Sequence, residues 1–176
     1  MKTIKSLGMA IILATAAAVQ ARPYSGQVRR VLEGDFIQLA NGDKIHYLGI
    51  DAPDKKSPFF QEAQSANKRL VEGKEVTLRY GLEERDIDGT WLAYVYSEGI
   101  FVNQELVLEG QALVTPLTNE ERILPDLIRA EHEAQREKRG VWKDASIDPY
   151  SIRAQKKTTF SWQSLSPNST STKTEK

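Results

Sequence analysis

The sequence has no cysteine among its 176 residues. That excludes disulfides, lipidation at a leader-adjacent cysteine and any thiolate metal site, so the folded chain depends on its apolar core alone. It also lacks an excess of either charge, with 24 Lys and Arg against 24 Asp and Glu. Strong non-specific binding to nucleic acid, which draws on phosphate neutralisation across a basic surface, is disfavoured; a local basic patch is still allowed. No comfortable membrane span is present either. The apolar run from Leu7 to Val19 falls short of the roughly 20 residues that cross a bilayer. There is no internal repeat.

The short apolar run has a place in an export signal. Lys2 and Lys5 give it a basic start, and Val19-Gln20-Ala21 supplies a small-x-small cleavage site. Residues 1–21 are therefore expected to be a signal peptide, and the protein to be secreted or periplasmic, a monomer with no stable membrane association after cleavage. Without Lys2 and Lys5, 22 basic residues face 24 acidic ones, so the mature chain is slightly negative. From about Gln155 the composition shifts to Ser, Thr and Lys. Residues 155–176 are expected to form a disordered tail, because they hold too little apolar surface to offset the entropy of ordering. Phe160 and Trp162 are its only anchors. One domain, residues 22–154, remains.

Its centre is Lys44-Ile45-His46-Tyr47-Leu48-Gly49-Ile50-Asp51-Ala52-Pro53-Asp54. The first half alternates as a strand, with Ile45 and Tyr47 on one side and His46 and Leu48 on the other. Pro53 cannot donate to a sheet and holds Ala52 extended. Asp51 and Asp54 thus sit where a strand runs out into a loop, with Asp35 upstream in Glu33-Gly34-Asp35. Acids so placed can hold a hard cation through carboxylate and carbonyl oxygens. They can equally do no more than shape and solvate a turn.

Around this stretch, Gln27–Leu39 reads as strand interrupted at Glu33-Gly34-Asp35, and Asn41-Gly42 as a hairpin turn. Helical spacing covers Phe59–Val71, with Ala63, Ala66 and Leu70 on one face. Glu75–Tyr80 and Trp91–Tyr96 read as strands flanking a turn at Asp86-Ile87-Asp88-Gly89. Val102–Glu109 and Glu120–Lys138 read as helices stopped by Gly110 and Gly140, after which Val141-Trp142 folds back on the core. Short hairpin-linked strands followed by helices predict an α+β fold built on a small barrel rather than an open sheet.

Taken together and in order, Gly34-Asp35, Leu48-Gly49-Ile50-Asp51-Ala52-Pro53, Leu92-Ala93-Tyr94-Val95-Tyr96, Val102-Asn103-Gln104-Glu105-Leu106-Val107-Leu108-Glu109-Gly110 and Arg139-Gly140-Val141-Trp142 resemble the staphylococcal nuclease (thermonuclease) family over about Gly26 to Trp142. The resemblance implies a five-stranded OB-fold barrel with about three packing helices. It implies calcium-dependent hydrolysis of DNA and RNA phosphodiesters, with nucleic acid as partner. It places the metal ligands on Asp35, Asp51 and the Ala52 carbonyl. The catalytic positions of the family fall on Asp54, His46 and Thr90.

Those last three depart from the pattern. Asp54 replaces a glutamate base and is one methylene shorter; His46 and Thr90 replace two arginines that clamp phosphate. Imidazole cannot make a bidentate fork, and a base that retreats about an ångström can cost on the order of a hundredfold. Asp88 adds a carboxylate where phosphate approaches, Phe36 replaces the family's threonine, and Leu113-Val114-Thr115-Pro116 stands where the family's base-contacting aromatics would be. Two functions follow: a weak exported nuclease, or a non-catalytic OB-fold module that binds nucleic acid, glycan or protein.

Overall fold

A computed structural model describes residues 24–86, 88–115, 122–144 and 148–149. The expected leader, residues 1–21, and the expected tail, residues 155–176, lie outside them. The chain enters through β1 (Tyr24–Glu33), reverses at Gly34-Asp35 into β2 (Phe36–Leu39), and reverses again at Asn41-Gly42 into β3 (Lys44–Tyr47). Alternation, reset in β1 by a register shift between Val28 and Arg30, sends Val28, Val31, Ile37, Leu39, Ile45 and Tyr47 into the core. A two-residue strand, β4 (Ile50–Asp51), follows, and then α1 (Phe60–Val71), which buries Ala63, Ala66 and Leu70 as its spacing predicts.

The barrel is completed by β5 (Glu75–Arg85) and β6 (Trp91–Ser97). Antiparallel pairing joins β1 to β2, β2 to β3, β1 to β5 and β5 to β6. Strand β6 then runs parallel to β3, with Ile45 opposite Trp91 and His46 opposite Leu92. The order β3-β2-β1-β5-β6 therefore returns to β3. Five strands close into an OB-type barrel, whose sheet has no open edge along that seam. Strand β5 runs past the predicted end at Tyr80. Its register shifts between Tyr80 and Arg85 before Arg85 pairs with Trp91, and the charged Glu83-Glu84-Arg85 hides that extension from an alternation reading.

After the short β7 (Ile100–Phe101), α2 (Val102–Leu108) and α3 (Leu124–Arg136) pack on the barrel, with β8 (Leu113–Val114) between them. Helix α3 starts four residues later than predicted. Pro125 stands in its first turn, where a missing N–H and a fixed φ are tolerated; further inside they would break the helix. Residues 116–121 lie outside the description. A single turn of 3-10 helix, Gly140–Trp142, closes the domain. The chain at Gly110 and at Arg139-Gly140 crosses so closely that a Cβ on Gly110 would collide with the Arg139 carbonyl and one on Gly140 with the Gly110 carbonyl, and the Val141 N–H donates to the Gly110 carbonyl at 2.9 Å. The expected fold-back of Val141-Trp142 is thus fixed by a backbone bond and by packing of both residues with Leu113.

Candidate active site

The turn after β1 carries Asp35, and its shape depends on Gly34. A Cβ there would lie 2.6 Å from the Ala52 Cβ and 2.9 Å from the Ala63 Cβ. The missing side chain lets the turn, the loop after β4 and helix α1 converge. Asp35 is fully buried. Its Oδ2 accepts the Ala52 N–H at 2.9 Å and lies 3.3 Å from His46 Nε2. A buried carboxylate is costly unless hydrogen bonds or countercharge replace its water; the amide and the imidazole both do so here. His46 itself remains 38% exposed at its side chain and packs edge-on against Phe36.

Asp51 is 9% exposed. It lies on β4, whose antiparallel partner β8 sets Asp51 opposite Leu113 and Ile50 opposite Val114. The Val114 N–H also donates at 2.8 Å to Glu131 Oε1, a buried carboxylate on α3. Helix α3 therefore holds β8, and β8 holds the strand that carries Asp51. Hydrogen bonds bring His46 and Ala52 to Asp35, and Asp51 precedes Ala52 in the chain.

Asp54 and Thr90 are each engaged in turns of their own. Asp54 Oδ1 accepts the Lys56 N–H at 2.8 Å, and its carbonyl accepts the Ser57 N–H at 2.9 Å, the Asx-turn role open to it from sequence. Thr90 ends the β5–β6 hairpin. There Asp86 Oδ1 accepts the N–H groups of Asp88 and Thr90, both at 2.9 Å. Of the nearby cations, Arg85 lies 3.5 Å over the Trp91 ring and donates to the Gly89 carbonyl at 2.8 Å. Lys55 and Lys56 are exposed.

Four supporting residues carry no role in the sequence reading. Asn103 accepts the Val95 N–H at 2.9 Å and donates to the Leu48 carbonyl at 2.8 Å, tying β6 to the segment before β4. Asn67 accepts the Tyr47 hydroxyl at 3.0 Å and donates to the Glu33 carbonyl at 3.1 Å, two residues before Asp35. Burial pushes the Tyr47 phenol far above its ordinary value, so it stays a neutral donor. Glu131 is the fourth. A signal existed: Asn67 follows Ala63 by four residues on the apolar stripe of α1, and Asn103 sits beside Val102 on that of α2. A polar group on an inward stripe needs a buried partner.

Among the described residues, no three His, Asp or Glu side chains converge as a ready metal cluster. The donors that are present, two carboxylates and a backbone carbonyl, are hard oxygens that suit calcium. Comparison with known proteins agrees with this architecture. The family described as "Staphylococcal nuclease homologue" matches residues 44–144. An "Uncharacterized endonuclease" of Escherichia coli O157:H7 is 40% identical over 128 residues, 70% of this chain and 80% of the relative. "Endonuclease YncB" of Bacillus subtilis is 33% identical over 124 residues, 64% of this chain and 59% of the relative. A "Thermonuclease" of Staphylococcus hyicus is 27% identical over 139 residues, 74% of this chain and 82% of the relative. The barrel, its helices and these matches together assign the chain to the staphylococcal nuclease homologue family.

Proposed function

We propose that the chain is an exported, calcium-dependent phosphodiester hydrolase acting on DNA and RNA, slower than family members that keep both arginines. The observation that carries this reading is that the fully buried Asp35 accepts the N–H of Ala52, the residue that follows Asp51 in the chain. Asp35, Asp51 and the Ala52 carbonyl would hold the cation, which supplies charge neutralisation and polarisation of a phosphate ester when bound. His46 orients Asp35 by its hydrogen bond, as partners of metal carboxylates do. Asp54, at the family's base position, offers Oδ2 to a water while Oδ1 holds the Lys56 amide. Export is supported by the basic-apolar-cleavage pattern of residues 1–21.

A second reading, a non-catalytic OB-fold module, is favoured by one specific observation: Asp54 is bound into its own turn and Arg85 is laid on Trp91, so neither base nor spare cation is directed by a visible contact toward phosphate. Titration calorimetry with calcium on the wild type and Asp51→Ala, beside cleavage of single-stranded DNA in calcium or chelator, separates the two. The nuclease reading expects heat lost in the variant and slow, calcium-dependent cleavage. Equal heats in both proteins, or none in either, would remove the cation site; retained binding without cleavage would favour the module.

A further inference from the structure

Strands β1, β2, β3 and β6 align one row of residues across the barrel wall. Burial alternates along β3, so Lys44 and His46 face outward while Ile45 and Tyr47 face the core. Across the sheet, Arg30 on β1 is the register partner of Gln38 on β2, and Gln38 is that of Lys44 on β3. On the other side of β3, Ile45 is opposite Trp91 and His46 is opposite Leu92 in the parallel pairing with β6. One residue earlier in both chains, Lys44 and Thr90 take neighbouring positions. The row therefore runs Arg30, Gln38, Lys44, Thr90, and His46 follows Lys44 by two residues on the same face. Strand geometry puts Lys44 about 7 Å from His46 along β3 and about 5 Å from Thr90 across the seam. These are the two positions at which the family resemblance expects an arginine.

Lys44 is exposed, and its side chain makes no hydrogen bond or ion pair with the described residues. Arg85, by contrast, lies over Trp91 and is bound to Gly89. Arg30 is exposed but held in place. Its Nε donates to Gln38 Oε1 at 2.9 Å, and Gln38 Nε2 donates to the Gly42 carbonyl at 3.1 Å. That bond uses Nε alone and leaves the terminal nitrogens of the guanidinium for another acceptor. Two nearby acids are already engaged. Asp86 Oδ1 accepts two hairpin amides, and Asp43 Oδ2 accepts Asn41 Nδ2 at 2.6 Å. Asp88, exposed on the hairpin, is the opposing charge. A lone exposed lysine is a solvated charge with no task. Lys44 differs in its place: its ammonium, on a flexible four-carbon stem, stands between positions 46 and 90, with a second cation fixed in the same row.

We propose that Lys44 is the phosphate-binding cation of the candidate active site, in place of the arginines absent at positions 46 and 90, with Arg30 assisting from the same row. The role rests on the nuclease reading above. A lysine supplies a point charge to a non-bridging phosphate oxygen without the planar fork of arginine, which accords with slow turnover. The test is anisotropy of a labelled oligothymidylate with the purified chain in chelator, beside its uncharged methylphosphonate analogue. Lys44→Met should weaken binding of the charged strand by about five- to tenfold and make the salt slope shallower by roughly 0.7, the share of one phosphate. Binding of the methylphosphonate strand should not change. Lys44→Arg should keep the affinity, and Arg30→Gln should lose less than Lys44→Met. Lys68→Met, at an exposed position on α1, is the control and should leave the slope as in the wild type. Urea midpoints confirm that each variant is folded. In calcium, Lys44→Met should lower kcat/KM by at least about tenfold. The drop should be smaller in a Thr90→Arg background, where a cation already occupies the neighbouring position. An unchanged salt slope in Lys44→Met, a loss matched by Lys68→Met, an equal loss with the methylphosphonate strand, or no binding of the charged strand by the wild type would overturn the proposal. Cleavage separates the two readings: binding that depends on Lys44 without calcium-dependent cleavage supports the phosphate contact and counts against the nuclease, whereas cleavage that Lys44→Met leaves intact counts against Lys44.

Discussion

The Ala52 backbone N–H donates to Asp35 Oδ2 at 2.9 Å across a separation of 17 residues. One bond therefore couples the β1–β2 turn to the chain leaving β4, a contact that a linear reading does not show. The bond also explains a choice of small residues. Gly34, Ala52 and Ala63 meet within van der Waals reach, so turn, loop and α1 approach at backbone distance.

Gly34→Ala should therefore be destabilising. Its new methyl meets two Cβ atoms at 2.6 and 2.9 Å, and over-packing of this kind costs about 1–3 kcal/mol. Urea unfolding measures it. Adding Ala63→Gly removes one of the two obstacles, so the double variant should recover part of the loss, a coupling expected for contacting sites. A neutral single variant would show that the turn can move aside, and would weaken the case for a rigidly held Asp35.

Asn103→Leu keeps approximate volume but strands two backbone groups, the buried Val95 N–H and the part-buried Leu48 carbonyl. Each group left unpaired costs about 1–3 kcal/mol. Asn67→Ala should act in the same direction through the Tyr47 hydroxyl and the Glu33 carbonyl. Denaturant midpoints close to wild type in both would mean that water or backbone shifts satisfy these groups.

These asparagines show where sequence reading stops. Alternation, the Asn41-Gly42 turn and the glycine stops made the barrel and its helices legible, because each is a local pattern. Helix α3 starts four residues after Glu120, with Pro125 in its first turn as the local signal. The far end of β5 was hidden because a bulged, charged strand loses its period. Asp35, Asp51 and Ala52 could be named through family resemblance, yet the Ala52–Asp35 bond, the Glu131 brace on β8 and the two asparagine bridges are long-range. No periodicity encodes them; only an oddly placed polar residue on an apolar stripe hints at them.

The contact between Glu62 and Lys143 predicts a pH dependence. Lys143 Nζ lies 2.8 Å from Glu62 Oε1 and ties the end of the described domain to α1. That hydrogen bond is the main cause holding the Glu62 carboxyl below its ordinary value of 4.5, with Gln111 assisting and partial burial opposing. A carboxyl depressed in the folded state contributes stability above its unfolded pKa and loses it as pH falls through the folded one. Lys143→Met should therefore lower the melting temperature slightly near pH 7, the pair being largely exposed. The gap should close under acid conditions where Glu62 is protonated in both proteins. A gap that persists unchanged in acid would assign the effect to packing of the lysine stem instead.

The most demanding prediction concerns activity. Wild-type cleavage should be about a thousandfold slower than that of a family member with the full pattern, given the lost arginine fork and the shorter base. The hairpin holding Thr90 is closed by Asp86 through backbone N–H groups of Asp88 and Thr90, so Thr90→Arg and Asp88→Tyr leave those bonds in place. An arginine at position 46 can still donate to Asp35 Oδ2, the partner of His46. Thr90→Arg alone leaves His46 unable to fork, and His46→Arg alone lacks its opposing partner. The triple variant His46→Arg, Thr90→Arg, Asp54→Glu should therefore exceed the product of the single gains, because groups acting on one transition state work as a unit. Asp88→Tyr should raise it again by removing a carboxylate from the path of phosphate. With Arg85 laid on Trp91 and bound to Gly89, wild-type turnover comparable to an efficient family nuclease would defeat this account and point to Lys55 or Lys56 as the missing cation; a triple variant no faster than its best single member would show that the arginine positions of this barrel no longer face a substrate.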